Sequence, residues 1–255
     1  MKTFDYKDLC WWCGKAADSR EHKYKRRDLL REFGGGQYKK KGGMLRITSE
    51  RNYKVEGPNA KDLKFTKNIC STCNNSKSRR FDEAYDRFID GVTQAENEII
   101  KTRSFNLSSI FGNNWGIKIE NVKRYYVKHM CCRLADAKIY IHPAIINYLN
   151  GSSYLKYVLM KMEFMEEFLA VREITKGLNN DQHCIYIGDM TCIPNRSNGS
   201  LKMISSCYQY RWLRLSYLYD PRVKVSTDNF SHDLVILPSK PGIHAYKILF
   251  HNRGT

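Results

Sequence analysis

Two cysteine pairs, Cys10-Trp11-Trp12-Cys13 and Cys70-Ser71-Thr72-Cys73, constrain this chain more than any other feature. Two thiolates two residues apart reach one ion, and a second such pair completes the four-sulfur set of a closed structural zinc site. Gly14, directly after the first pair, relaxes the tight turn that such a knuckle needs. The pairs lie further apart than in a compact zinc finger, so the ion would join two distant segments. Cys131, Cys132, Cys184, Cys192 and Cys207 have no comparable spacing and read as packed thiols. Adjacent residues on a helix point about 100° apart, which argues against a second metal site at His129, Cys131 and Cys132.

Cysteine usage and charge bound the function classes. An odd total of nine cysteines, with four in pairs of metal-ligand spacing, fits a reducing compartment better than a disulfide scaffold. The first residues form no apolar signal region, and no run of about 18 apolar residues occurs, so a cytoplasmic protein without a membrane segment is expected. Lys and Arg number 43 against 26 Asp and Glu, a net charge of +17 spread over both halves. That excess makes nucleic acid the leading partner. The hydrophobic fraction of 42% is enough for a buried core and excludes a disordered tail.

Between the cysteine pairs, Arg20-Glu21-His22 leads into the basic run Lys23–Arg27. The loop Phe33–Gly43 is rich in glycine and lysine but lacks the Gly-Lys-Ser/Thr ending of a nucleotide-binding loop. It reads either as a loop closing over a phosphate backbone or as a solvated surface loop. Met44–Val55 alternates as a strand or hairpin, and Leu63–Ile69 as a strand delivering Cys70. Phe81, Ala84, Tyr85, Phe88 and Ile89 recur at helical spacing from about Asn75 onward.

This order of Cys-x-x-Cys, Glu-His, a strand and Cys-x-x-Cys-Asn-x-x-Lys-Ser opening a helix resembles the HNH endonuclease family, over roughly residues 8–90. The resemblance implies a ββα-metal fold in its zinc-stapled form and hydrolysis of DNA to a 5′-phosphate and a 3′-hydroxyl. It makes His22 the general base that activates water. Glu21, where the family usually has Asp, and Asn74 would hold a catalytic Mg²⁺ or Mn²⁺. Lys77 would contact phosphate at the start of the helix, with Lys25 and Arg26 as further substrate-binding residues. The family's middle Asn, which orients the loop carrying the His, is replaced by Phe65 beside Thr66; Asn59 and Asn68 are out of register.

The remainder carries no such resemblance. Ile119–Leu134 has helical period, and Arg124–His129 places bases beside aromatics, the pattern of an amphipathic helix or of a nucleotide-stacking face. Tyr154–Thr175 is apolar and Met-rich, as for a core. Segments at His183–Ile187, Met203–Leu218, Asp233–Leu237 and Ala245–Phe250 read as strands. The expectation is an α+β protein: an HNH nuclease domain over 1–92, then a mixed helical and antiparallel β region over 93–255. Its rivals are a non-catalytic zinc-containing nucleic-acid-binding protein and an RNA-directed nuclease. The oligomeric state is open, with a homodimer among the options.

Overall fold

A computed structural model describes residues 4–36, 38, 44–47, 52–175, 185–194, 201–222, 233–235 and 237–238. The fold is α+β, a helical layer on a largely antiparallel sheet. Part of the glycine- and lysine-rich loop (37 and 39–43), Cys184 and the Ala245–Phe250 segment lie outside the described residues.

In chain order come α1 (Arg26–Phe33), the hairpin β1 (Met44–Ile47) and β2 (Asn52–Val55), then a wide π-helical turn, Thr72–Lys77, that runs into α2 (Arg79–Gln94). Next are α3 (Glu96–Thr102), β3 (Ser104–Asn106), α4 (Leu107–Phe111), α5 (Trp115–Asp136) and α6 (Pro143–Leu149). The sheet takes β4 (Val158–Phe164), β5 (Ile185–Ile187), β6 (Thr191–Pro194), β7 (Leu201–Tyr210) and β8 (Leu213–Tyr219), with α7 (Glu166–Thr175) between β4 and β5. Its order is β10-β4-β8-β7-β5, with β6 also on β7; β10 (Leu237–Pro238) runs parallel to β4. Strand β9 (Asp233–Val235) pairs with β3.

The 3.6-residue period of α2 is used as expected: Phe81, Ala84, Tyr85, Phe88, Ile89 and Val92 are all buried. Gly91 lets α2 approach α4, since a Cβ there would lie 2.8 Å from Ile110. Helix α5 departs from an amphipathic pattern. From Asn121 onward almost every position to Ala135 is buried, because the helix runs between α2 and the sheet. Tyr125 stacks on Tyr85 of α2 with ring centroids 4.0 Å apart, and Tyr126 meets Tyr208 of β7 at 6.2 Å. Arg124 and Lys128 are therefore interior groups, and the aromatic-basic run is a core seam instead of a nucleotide-stacking face. No described helix is long and apolar enough to cross a membrane.

The expected strand at Leu63–Ile69 does not form as a continuous strand. A short 3-10 turn, Lys61–Leu63, precedes extended backbone that touches the Ser19–Lys23 segment at isolated antiparallel bridges, Ser19 with Ile69 and His22 with Lys64. The register slips by two residues between them. The reason is visible at Thr66, whose N–H turns to the Asp136 carboxylate (2.9 Å) instead of a strand partner. Asn68 turns inward too, donating to the Cys132 carbonyl (2.9 Å).

One hydrophobic core runs without interruption from Cys10 through α2 and α5 to Tyr219, across position 92. Helix α1 is tied to α2 and the sheet by buried acids: Asp28 accepts from Tyr85 of α2 and Tyr208 of β7, at 2.6 and 3.0 Å, and Glu32 accepts from Tyr210 of β7 at 2.6 Å.

Candidate functional site

The two cysteine pairs converge. The first forms a knuckle closed by Cys10 N–H to the Lys15 carbonyl (2.7 Å) and Gly14 N–H to the Cys10 carbonyl (2.8 Å). Gly14 sits at φ 74°, where a side chain would be strained. The second pair opens the π-helical turn before α2. Sγ of Cys13 lies 3.6 Å from Sγ of Cys70, and all four sulfurs lie within 4.8 Å of one another. Tetrahedral zinc with bonds of about 2.3 Å sets its sulfurs roughly 3.8 Å apart, so the donor set fits zinc. Burial and the charge of Cys10 drive the Cys73 thiol up, so assembling four thiolates here calls for a cation at their centre. Among the described residues no other group of three or more His, Cys, Asp or Glu side chains has this geometry.

Next to the knuckle, the bridges between Ser19–Lys23 and Leu63–Ile69 present Glu21 and His22. Phe65 N–H donates to the Glu21 carbonyl (2.9 Å) and Lys23 N–H to the Leu63 carbonyl (2.7 Å). The His22 ring is largely buried, and its Nε2 meets no hydrogen-bond partner among the described residues. Burial, reinforced by Lys64, Arg26, Lys25 and Lys128, lowers its pKa to about 4, so the imidazole is neutral near pH 7. Asn74, on the π-helical turn, donates Nδ2–H to Ser19 Oγ (3.0 Å), while its buried Oδ1 has no described partner.

Glu21 is differently engaged from what the sequence suggests. Its Oε2 lies 2.6 Å from Nζ of Lys128, a side chain only 1% exposed, and its Oε1 accepts the His22 N–H (3.1 Å). Lys128 also donates to Ser78 Oγ (3.1 Å), whose hydroxyl donates to the Asn74 carbonyl (2.6 Å). Burial pulls the Lys128 pKa down, but Glu21 and Asp82 outweigh it and raise it, so the ammonium stays charged. This donor set does not fit Mg²⁺ or Mn²⁺. Both Glu21 oxygens are in use, an ammonium stands where a divalent ion would be repelled, and one amide oxygen with one imidazole nitrogen falls short of a hard-cation site.

The three expected substrate-binding cations separate. Lys77 is exposed at the end of the π-helical turn, with Nζ 4.8 Å from the Trp12 ring centroid. Arg26 is exposed and donates Nε–H to Asn59 Oδ1 (3.1 Å). Lys25 is drawn inward, pairing with Asp82 (2.8 Å) and Asp86 (3.8 Å) over the Tyr125 ring, so its charge is matched inside the protein.

The residues that sequence reasoning missed are Lys128, His129 and Tyr208. His129 places Nε2 2.7 Å from the Lys23 carbonyl, one residue beyond His22. Their signal was present as bases interleaved with aromatics in 124–129, but only burial of the whole helix distinguishes an inward from an outward reading. No family model, curated protein or solved structure matches this chain.

Proposed function

We propose that the chain is an HNH-type endonuclease that hydrolyses phosphodiester bonds in DNA, with His22 as the general base. The observation that carries the reading is the half-buried, neutral His22 imidazole, whose Nε2 has no described protein partner and which lies near Lys64 and Arg26. A neutral imidazole accepts a proton from attacking water, and the exposed Arg26 with the neighbouring Lys64 favours an anionic phosphate and the charge that grows on it in the transition state.

Three features support the finer assignment. The His22 segment is bridged antiparallel to the segment delivering Cys70, a helix follows at once, and the four cysteines gather beside them. A zinc-stapled ββα unit would have its parts in this order, with two isolated bridges here in place of its paired strands. Asn74 contributes an Oδ1 without a described partner on the adjacent turn, and Arg26 and Lys77 are exposed cations available to the nucleic-acid backbone. Zinc at Cys10, Cys13, Cys70 and Cys73 supplies folding free energy and takes no part in the chemistry.

The Glu21–Lys128 ion pair favours a second reading, a zinc-containing nucleic-acid-binding protein that does not cut. Incubation of supercoiled plasmid and of RNA with wild type and His22→Ala, with and without Mg²⁺ or Mn²⁺, decides between them. The expected result is DNA cleavage by wild type and a loss of about 100-fold or more in His22→Ala at unchanged zinc content. Binding of DNA without cleavage under every condition would establish the second reading, and cleavage confined to RNA would make the enzyme RNA-directed.

A further inference from the structure

The segment bearing His22 is gripped from outside the N-terminal unit. Lys128 Nζ reaches Glu21 on one side of His22 at 2.6 Å, and His129 Nε2 reaches the Lys23 carbonyl on the other at 2.7 Å. A carbonyl only accepts, so His129 carries its proton on Nε2; burial first, and Arg133 second, lower its pKa to about 3 and keep the ring neutral. Consecutive residues on a helix diverge by about 100°, so a three-residue segment held by both must lie across α5. The His129 ring is wedged edge-on between Phe65 and Tyr208, each with its centroid at 5.3 Å. Tyr208 extends the grip, its hydroxyl accepting the Lys25 N–H at 3.3 Å.

Through Ser78, Lys128 also bears on the backbone of Asn74, so one ammonium connects both walls of the candidate site. A buried ion pair adds little stability over apolar side chains of similar volume, whereas it fixes geometry closely. Packing alone would be served as well by Met or Leu at position 128.

We propose that Lys128 and His129 of α5 are positioning residues that hold Glu21–His22–Lys23 in the conformation that keeps His22 Nε2 without a protein partner. The proposal rests on the reading of His22 as the general base, and it gives residues beyond 92 a role in the site.

Two variants of His129 test it in the full-length, zinc-loaded protein. His129→Phe keeps a ring between Phe65 and Tyr208 but deletes the donor; His129→Gln restores a donor at the position of Nε2. Amide relaxation of residues 21–23 is measured by NMR beside steady-state DNA cleavage. In His129→Phe the order parameters should fall from about 0.85 toward 0.6. The kcat should drop about 10- to 100-fold with KM for DNA within about twofold, as for a misplaced catalytic group. His129→Gln should restore both.

A segment as rigid in His129→Phe as in wild type overturns the proposal, as does a kcat that His129→Gln fails to recover. Loosening in His129→Phe and recovery in His129→Gln, in a wild-type protein that cuts neither DNA nor RNA, would support the clamp and remove the nuclease reading instead. Should His129→Phe fail to fold, Lys128→Gln is read by the same order parameters, with loosening expected and unchanged rigidity counting against the clamp.

Discussion

The segment from Cys10 to Asp28 is fastened at two places by opposite kinds of chemistry. At its first turn four soft sulfurs converge within 4.8 Å, two of them from the same knuckle, a set that could hold a metal such as zinc. Its second part, Glu21 to Asp28, is held by oxygen and nitrogen: Lys128 on Glu21, His129 on the Lys23 carbonyl, and Tyr85 and Tyr208 on Asp28. A metal knuckle is strong because each ligand bond is strong. A polar clamp depends instead on every partner being present, since each buried group left alone is costly. The first fastening therefore tolerates changes around it better than changes to its ligands. The second is sensitive anywhere in its network.

The sharpest way to break the comparison is at the sulfurs. Replacing Cys73 with Ser should abolish zinc binding and cost on the order of several kcal/mol or more of folding free energy, because metal binding in such sites is folding free energy. Zinc content and thermal unfolding of the purified variant check it; a zinc-free Cys73→Ser protein of wild-type stability would dissolve the distinction.

The next effect should come from the clamp. Lys128→Met leaves the Glu21 and Asp82 carboxylates short of the ammonium 2.6 and 3.4 Å away, and should destabilise by about 3–5 kcal/mol while zinc remains bound. Adding Glu21→Gln should return part of that loss, since the buried charge is then removed, and denaturant titration of the single and double variants measures the coupling.

The smallest effect separates the two fastenings by pH. Burial pushes Asp28 up to about 6, against the opposing pull of Tyr85, Arg31 and Tyr208. A carboxyl whose folded pKa is raised favours the protonated form. Its contribution to stability is full below about pH 4 and is lost as pH rises toward 6, a change of up to about 3 kcal/mol. Asp28→Asn should remove that slope, so the variant gains on wild type between pH 4 and pH 7 in urea unfolding. Parallel profiles would show that Asp28 is ionised in the folded protein across this range.

Legibility followed the range over which each feature is encoded. The strand pair within Met44–Val55 was readable because its alternation is local, and α2 because its apolar residues recur at helical spacing. The strand at Leu63–Ile69 was misread from the same alternation. Leu63 and Phe65 do point inward, but Thr66 and Asn68 spend hydrogen bonds on Asp136 and Cys132, residues of α5 that no local pattern announces. The basic residues of 124–129 resembled a nucleic-acid face because charge normally marks the surface. Here Arg124 is bonded to the carbonyls of Tyr148 and Ser152, and Lys128 to Glu21, so both are satisfied inside.

By itself the sequence determined the cysteine knuckle, the helical period after it and the mixed α+β class, because ligand spacing and side-chain periodicity act over a few residues. The Glu21–His22 step was visible too, as a motif with an expected chemistry. Only the tertiary structure decided what Glu21 touches, which lysines face inward and what orients His22. Those outcomes depend on contacts such as His129 to Lys23, 106 residues apart. Whether a charge is buried and paired follows from packing α5 between α2 and the sheet, and that arrangement is settled by the whole core at once.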